Sequence, residues 1–173
     1  RIEWSINSFP INKLEIFEGF QQIANNINAN FTINYSDEIP NVAIFVSKQN
    51  HCLIDLLWRV RNGELKMKVP LIISNHPDLE GLAKDFNAQF FYYDSINNQR
   101  SEIERQVLNK LKFFDIKFAI LAKYMQILSE SFLNEFSEII NIHHSFLPAF
   151  KGSQPYHRAW KRGVKLIGAT AHY

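Results

Sequence analysis

The chain has 173 residues, 46% of them hydrophobic and 21% charged, which suits one globular domain, or one domain with part of a second. Its net charge of +2 excludes the basic surplus of a nucleic-acid-binding protein, and 14% aromatic residues exclude disorder. No apolar run approaches the ~20 residues of a membrane-spanning helix. The single cysteine, Cys52, excludes an internal disulfide and favours a reducing, cytoplasmic location.

The first 36 residues predict a strand, a helix and a second strand. Residues 1–6 are β-like, and apolar side chains spaced by three and four from Ile11 to Ile27 indicate an amphipathic helix that opens at Pro10. Residues 31–35 alternate between apolar and polar side chains, as in a strand. This length is too short to bury a core alone, and residues 37–40 read as a linker.

Five short apolar runs then alternate with helical patterns. The runs cover residues 42–46, 71–74, 90–93, 118–122 and 139–142, and the helical patterns cover residues 53–60, 79–86, 103–114 and 132–136. This alternation predicts an α/β fold with a doubly wound, mostly parallel sheet. Such folds bind ligands at the carboxyl ends of the strands, here the residues after Val46, Ser74, Ala122 and Ile142.

The loop after the first run has the sequence Ser-Lys-Gln-Asn-His-Cys from Ser47 to Cys52. It lacks the glycines that let a backbone approach a pyrophosphate, which argues against NAD, FAD and ATP. Ser47, Lys48 and His51 are candidates to contact a small polar ligand. A capped helix start with a solvated lysine explains them equally well. Cys52 has no obvious activating partner, so we expect a buried thiol rather than a nucleophile.

The segment after the fourth run, residues 122–128, allows two interpretations. Apolar residues near a strand end are usually packing residues, so the structural interpretation places Met125, Ile127 and Leu128 in the core, before a helix capped by Ser129 or Ser131. The functional interpretation makes the segment a loop whose backbone faces a flat heteroaromatic ligand. Periodicity favours the structural interpretation.

The strongest local signal lies at the end of the fifth run. In an extended strand Asn141 and His143 point to the same side. An amide that donates to an oxyanion and an imidazole that moves protons are what carbonyl chemistry requires. A structural histidine is the alternative. Adjacent His143 and His144 do not easily share one tetrahedral ion, and no cysteine or carboxylate lies nearby, so we expect no metal.

Four segments together resemble the formyltetrahydrofolate deformylase family, which is related to the formyltransferases. They are NIHHSFLP at residues 141–148, AKYMQIL at 122–128, SKQNHCL at 47–53 and GATAHY at 168–173. The first 36 residues resemble the closing part of an ACT-type domain. The resemblance implies a formyltransferase-like, Rossmann-type α/β domain over residues 41–173. A linker at 37–40 and a partial α+β ACT-like segment at 1–36 would precede it.

The resemblance also implies a reaction, the hydrolysis of 10-formyltetrahydrofolate to formate and tetrahydrofolate, in one-carbon and purine metabolism. Asn141 would stabilise the oxyanion and His143 would move protons. Met125, Gln126, Ile127 and Leu128 would bind the folate. The candidate substrate-loop residues are Ser47, Lys48, His51, His144, Gly152 and His172. No metal or other cofactor is implied, because folate is the substrate.

Further expectations concern the ends and the partners. The resemblance suggests a chain truncated at both ends, whose catalytic aspartate would follow Tyr173, so that this piece alone would be inactive. It suggests a homo-oligomer with an amino-acid effector at the ACT-like segment, and neither nucleic acid nor membrane as partner. One alternative is a formyltransferase with an amine acceptor. The other is a non-catalytic folate-binding protein or truncated inactive paralogue.

Overall fold

The computed structural model describes residues 2–6, 10–94, 99–143, 157, 160–163 and 170–172. The chain divides into two compact units, Arg1–Glu38 and Ile39–Tyr173. Among the described residues, none of the helices combines the length and the apolar character needed to cross a membrane.

The first unit is built on helix α1, Lys13–Ile27, which begins three residues after Pro10 because Asn12 forms a capping box. The Asn12 side chain accepts hydrogen bonds from the amides of Leu14 and Glu15, and the Glu15 carboxylate accepts one from the Asn12 amide at 2.7 Å. The helix ends at Asn28, whose left-handed backbone has a φ of 52°. Local capping therefore sets both ends of α1.

The two strands predicted for the first unit are wrong, because none of the described residues in 2–6 and 28–38 belongs to a strand. The alternation in residues 31–35 reflects packing on α1 instead. The Phe31 ring lies 5.3 Å from that of Phe17 and 5.9 Å from that of Phe20, and the Tyr35 hydroxyl donates to the Lys13 carbonyl. A strand needs a partner for its backbone groups, and these residues contact a helix through side chains.

The second unit confirms the predicted α/β fold. The strands among its described residues are β1 (Asn41–Val46), β2 (Lys68–Ser74), β3 (Gln89–Tyr92), β4 (Ile116–Ala122), β5 (Ile139–His143) and β6 (Thr170–His172). They form one sheet in the order β3-β2-β1-β4-β5-β6. The first five strands are parallel, and β6 pairs antiparallel with β5.

Helices cover both faces of this sheet. They are α2 (His51–Arg61), α3 (Glu80–Asp85, after a 3-10 turn at Pro77–Leu79), α4 (Arg100–Phe113) and α5 (Glu130–Glu135). The central strand β1 contributes to two cores, because successive side chains point to opposite faces. Ile44 packs with Leu53 and Leu57 of α2 on one face, and Phe45 packs with Val107 of α4 on the other.

The carboxyl ends of four parallel strands meet at one edge of the sheet. Val46 pairs with Ser74, and Phe45 pairs with Leu121. Leu121 pairs in turn with Asn141. From β1 the chain continues to β2 and β3 on one side of β1, and β4 and β5 are then added on the other side. A topological switch point therefore lies between β1 and β4, and such folds bind ligands there.

Candidate active site

Ser47 joins three strand ends at this edge. Its side chain follows β1 and is 5% exposed, and its Oγ donates to Oδ1 of Asn75, after β2, at 2.6 Å. The same Oγ accepts a hydrogen bond from the amide of Met125, after β4, at 3.0 Å. The hydroxyl is thus engaged inside the protein, where it fixes the positions of the two neighbouring loops.

The rest of the first loop faces solvent. Lys48 and His51 are exposed, and α2 begins at His51. Gln49 accepts a hydrogen bond from the Lys123 ammonium, which ties this loop to the one after β4. Cys52 is a free, half-buried thiol, and burial raises its pKa although the charge of Lys123 opposes this shift. A raised pKa leaves the thiol protonated, as expected for a residue that is not a nucleophile.

The segment between β4 and α5, residues 123–129, turns sharply out of the sheet. Lys123 adopts the left-handed conformation with a φ of 59°, and the amide of Met125 then reaches Ser47. Met125 is 57% exposed and Ile127 is 84% exposed. The structural interpretation, which placed both in the core, is therefore wrong for them. It is right for Leu128, which packs against the core on the α4 side.

Both ends of this β4–α5 segment are anchored, and its middle is open. Gln126 is half-buried, between the exposed side chains of Met125 and Ile127. At the far end Ser129 caps α5 by accepting a hydrogen bond from the Phe132 amide at 3.1 Å, as predicted. Two exposed apolar side chains on an anchored loop form a surface suited to a flat ligand.

Strand β5, which pairs with β4, ends at the same edge of the sheet with Asn141 and His143. Asn141 lies level with Leu121 of β4 and is half-buried. On the other side, β6 pairs position 172 with Asn141 and position 170 with His143. Because directly opposite residues of an antiparallel pair share a face, the register groups Asn141 and the positions of both histidines on one face.

Residues 40–173 match the formyl transferase family. This match covers the whole sheet and every residue of the candidate site. The chain belongs to the formyl transferase family.

Relatives within the formyl transferase family carry more specific names. The chain is 49% identical to a formyltetrahydrofolate deformylase of Synechocystis sp. over 173 residues, which is all of this chain and 61% of that protein. The crystal structure of a formyltetrahydrofolate deformylase from Pseudomonas putida is 39% identical with a TM-score of 0.86, over 95% of this chain and 59% of the other. The chain thus spans about three fifths of these deformylases.

A phosphoribosylglycinamide formyltransferase from Bacillus halodurans shares the fold at greater distance. It is 31% identical with a TM-score of 0.72, over 77% of this chain and 71% of the other. The deformylases are thus more similar to this formyl transferase chain in sequence and in structure, and their similarity extends over nearly its full length.

Not every predicted site residue can be placed. His144 and Gly152 lie outside the described residues, and the described part of His143 and His172 is their backbone in β5 and β6. Among the described residues, no group of three or more His, Cys, Asp or Glu side chains could hold a metal ion. The roles assigned to Asn141, His143 and the loop residues remain predictions.

Sequence reasoning missed three residues that shape this formyl transferase site: Asn75, Lys123 and Glu104. The strand-end rule indicates the positions of Asn75 and Lys123, which directly follow Ser74 and Ala122, but not their roles. The contacts of Lys123 and Glu104 gave no local signal, because the partners Gln49 and Ser129 are 74 and 25 residues away along the chain.

Proposed function

We propose that the protein hydrolyses 10-formyltetrahydrofolate to formate and tetrahydrofolate. The observation that carries this proposal is the register of β4 and β5, which ends both strands at one edge of the sheet. Asn141 and His143 therefore lie at the same edge as the β4–α5 segment, which bears the exposed Met125 and Ile127. An amide and an imidazole, the groups that carbonyl activation needs, thus share this edge with apolar side chains that a pterin could contact. The deformylase names of the relatives support the same activity.

The proposed chemistry needs a donor for the formyl oxygen and a group that moves a proton. Water attacks the formyl carbon, a C–O bond forms, and negative charge develops on the formyl oxygen, where the amide of Asn141 donates. His143 takes the proton from the attacking water and delivers it to N10 as the C–N10 bond breaks. The oxyanion collapses to formic acid, which loses its remaining proton to solvent and leaves as formate, together with tetrahydrofolate. No redox step or cofactor is needed.

The loop after β1 favours water over a phosphorylated acceptor. A site for a sugar phosphate needs backbone amides close to the phosphate, usually on a glycine-rich turn. Here the loop has no glycine, Ser47 is engaged with Asn75 and Met125, and Gln49 is engaged with Lys123. The loop thus lacks the glycine-rich turn of a phosphate site, and it offers a ligand mainly its exposed side chains, such as Lys48 and His51.

The test is formate release from 10-formyltetrahydrofolate by the full-length gene product. We expect Asn141→Ala to lower kcat by ~10²–10³ as loss of an oxyanion donor, and His143→Ala to abolish turnover, with folate binding largely retained in both variants. Asn109→Ala, an exposed position on α4, is the matched control and should behave like the wild type.

The same assay distinguishes the alternatives. Formate release that strictly requires an added amine would replace the hydrolase by a formyltransferase. Folate binding without turnover in the full-length product would favour a non-catalytic folate-binding protein. An effect of Asn141→Ala confined to KM would make Asn141 a binding residue.

The accompanying proposals concern cofactors, partners and location. The reaction requires no cofactor, and we propose a cytoplasmic homo-oligomer with an amino-acid effector at the first unit. That unit has a groove of about 480 Å3 along α1, lined mainly by apolar side chains such as Trp4 and Phe20. A thermal-shift screen of the full-length product with the common amino acids tests the effector, and sedimentation tests the oligomer.

A further inference from the structure

Glu104 on α4 is a charged side chain in an unusually enclosed place. Its side chain is 12% exposed, whereas that of Glu102, two residues earlier on the same helix, is 45% exposed. Burying a carboxylate is costly unless it is hydrogen-bonded and paired. The Glu104 carboxylate meets this condition by accepting hydrogen bonds from the amide of Ser129 at 2.9 Å, from the Ser129 hydroxyl, and from Nε of Arg100 at 3.0 Å.

These contacts fix the far end of the β4–α5 segment. Ser129 is the last residue of the segment and the N-cap of α5, so Glu104 holds the point at which the loop becomes a helix. The near end is fixed by the hydrogen bond from the Met125 amide to Ser47. The exposed Met125 and Ile127 lie in the short stretch that these two anchors define.

The charge of Glu104 also reaches the near end of the segment. Burial raises the pKa of the Glu104 carboxyl, but the hydrogen bonds from Ser129 and the pair with Arg100 outweigh it and lower the pKa from its usual value. Burial and the negative charge of Glu104 together raise the pKa of Tyr124 to about 12. The neutral Tyr124 ring packs edge-on against Phe45, with ring centroids 5.4 Å apart.

We propose that Glu104 is a positioning residue for substrate binding, which holds the β4–α5 segment in the shape that receives the folate. This inference rests on the proposed function. A segment already held in its bound conformation loses little conformational entropy when the ligand binds. Removing the carboxylate would make the segment sample other conformations, and the substrate would then bind only the fraction in the competent shape.

The experiment compares Glu104→Ala, Glu104→Gln and the control Glu102→Ala in the full-length gene product. We expect Glu104→Ala to raise KM about tenfold with kcat within about twofold of the wild type, because affinity falls in proportion to the competent fraction. Glu104→Gln keeps the side-chain volume and one acceptor for the Ser129 amide, so KM should rise less than in Glu104→Ala. Glu102→Ala removes an exposed pair with Arg105 and should change neither constant.

The outcomes distinguish failure of the positioning role from failure of the proposed function. Unchanged KM in both Glu104 variants overturns the positioning role, and so does a loss of kcat at unchanged KM, which indicates a merely structural residue. If Glu104→Ala does not fold, Glu104→Gln carries the same comparison. Absence of formate release by the wild type overturns the proposed function instead, and that result does not depend on any Glu104 variant.

Discussion

At the scale of single residues, the hydroxyl of Ser47 shows how one small side chain can organise a site. It makes one hydrogen bond as donor and one as acceptor, to residues 28 and 78 positions away along the chain. The Asn75 side chain follows β2 and the Met125 amide follows β4, the two strands that flank β1. Ser47 therefore sets the distance between the loops that flank the switch point of the sheet.

Replacing Ser47 by Ala tests this link. The substitution removes the hydroxyl that contacts the side-chain oxygen of buried Asn75 and the backbone amide of Met125. This loss should lower the free energy of unfolding by about 1–3 kcal/mol. Urea denaturation measures the loss, and folate titration should show weaker binding because Met125 is no longer held. Ser101→Ala, at an exposed position on α4, is the control and should change neither quantity. Equal stability of Ser47→Ala and wild type would contradict the link.

Local sequence patterns indicate some of the candidate site residues and not others. The pair Asn141 and His143 was found because strand geometry fixes which neighbours share a side. Glu104 was not found, because on α4 it stands among other charged residues such as Glu102 and Arg105 and looks solvated. Its role depends on Ser129, which only the folded chain brings near. For Met125, periodicity favours the core and the resemblance implies folate binding, because periodicity cannot distinguish an apolar core residue from an apolar ligand-binding one.

At the scale of elements, helix caps depend on neighbouring residues, whereas an exposed alternating segment depends on a distant partner to become a strand. The capping box of α1 and the Ser129 cap of α5 use residues within three positions of the helix start. The alternating residues 31–35 instead pack on α1, because no described strand of the first unit pairs with them. A cap is therefore visible in neighbouring residues, whereas an alternating segment forms a strand only where another strand pairs with it.

Removing the cap of α1 gives a prediction for this scale. Asn12→Ala removes the acceptor for the Leu14 and Glu15 amides and should destabilise the helix start by about 1 kcal/mol. Such a loss corresponds to roughly fivefold faster amide exchange in the first turns, provided that exchange occurs through local opening. Asn26→Ala, an exposed position inside the same helix, is the control and should leave exchange unchanged or slower. Unchanged exchange in Asn12→Ala would show that packing, not capping, determines the start of α1.

At the scale of the whole molecule, the order of elements predicted the sheet, but not its register. Apolar runs alternating with helical patterns are enough to indicate a parallel, doubly wound sheet. They do not reveal that Phe45, Leu121 and Asn141 lie level across three strands, because register depends on packing between distant segments. That alignment ends β4 and β5 at one edge of the sheet, where the candidate catalytic pair and the start of the β4–α5 segment both lie. The sequence therefore indicated the edge of the sheet, and the fold determined which loops meet there.

Phe45 connects this architecture to the site. Its side chain is 1% exposed in the core on the α4 side of the sheet, and its ring contacts Tyr124 of the β4–α5 segment. Phe45→Ala should therefore lower the free energy of unfolding by about 3–5 kcal/mol through the cavity it leaves. It should also weaken folate binding, because Tyr124 loses the ring against which it packs.

The control for Phe45 is Phe113→Ala, since Phe113 lies at the end of α4 and is 80% exposed. Phe113→Ala should lower the free energy of unfolding by less than about 1 kcal/mol and leave folate binding unchanged. Urea denaturation and folate titration measure both quantities in each variant of the full-length protein. A folded Phe45→Ala with wild-type folate affinity would show that the segment holds its shape without the core beneath it, and that the anchors at Ser47 and Glu104 suffice.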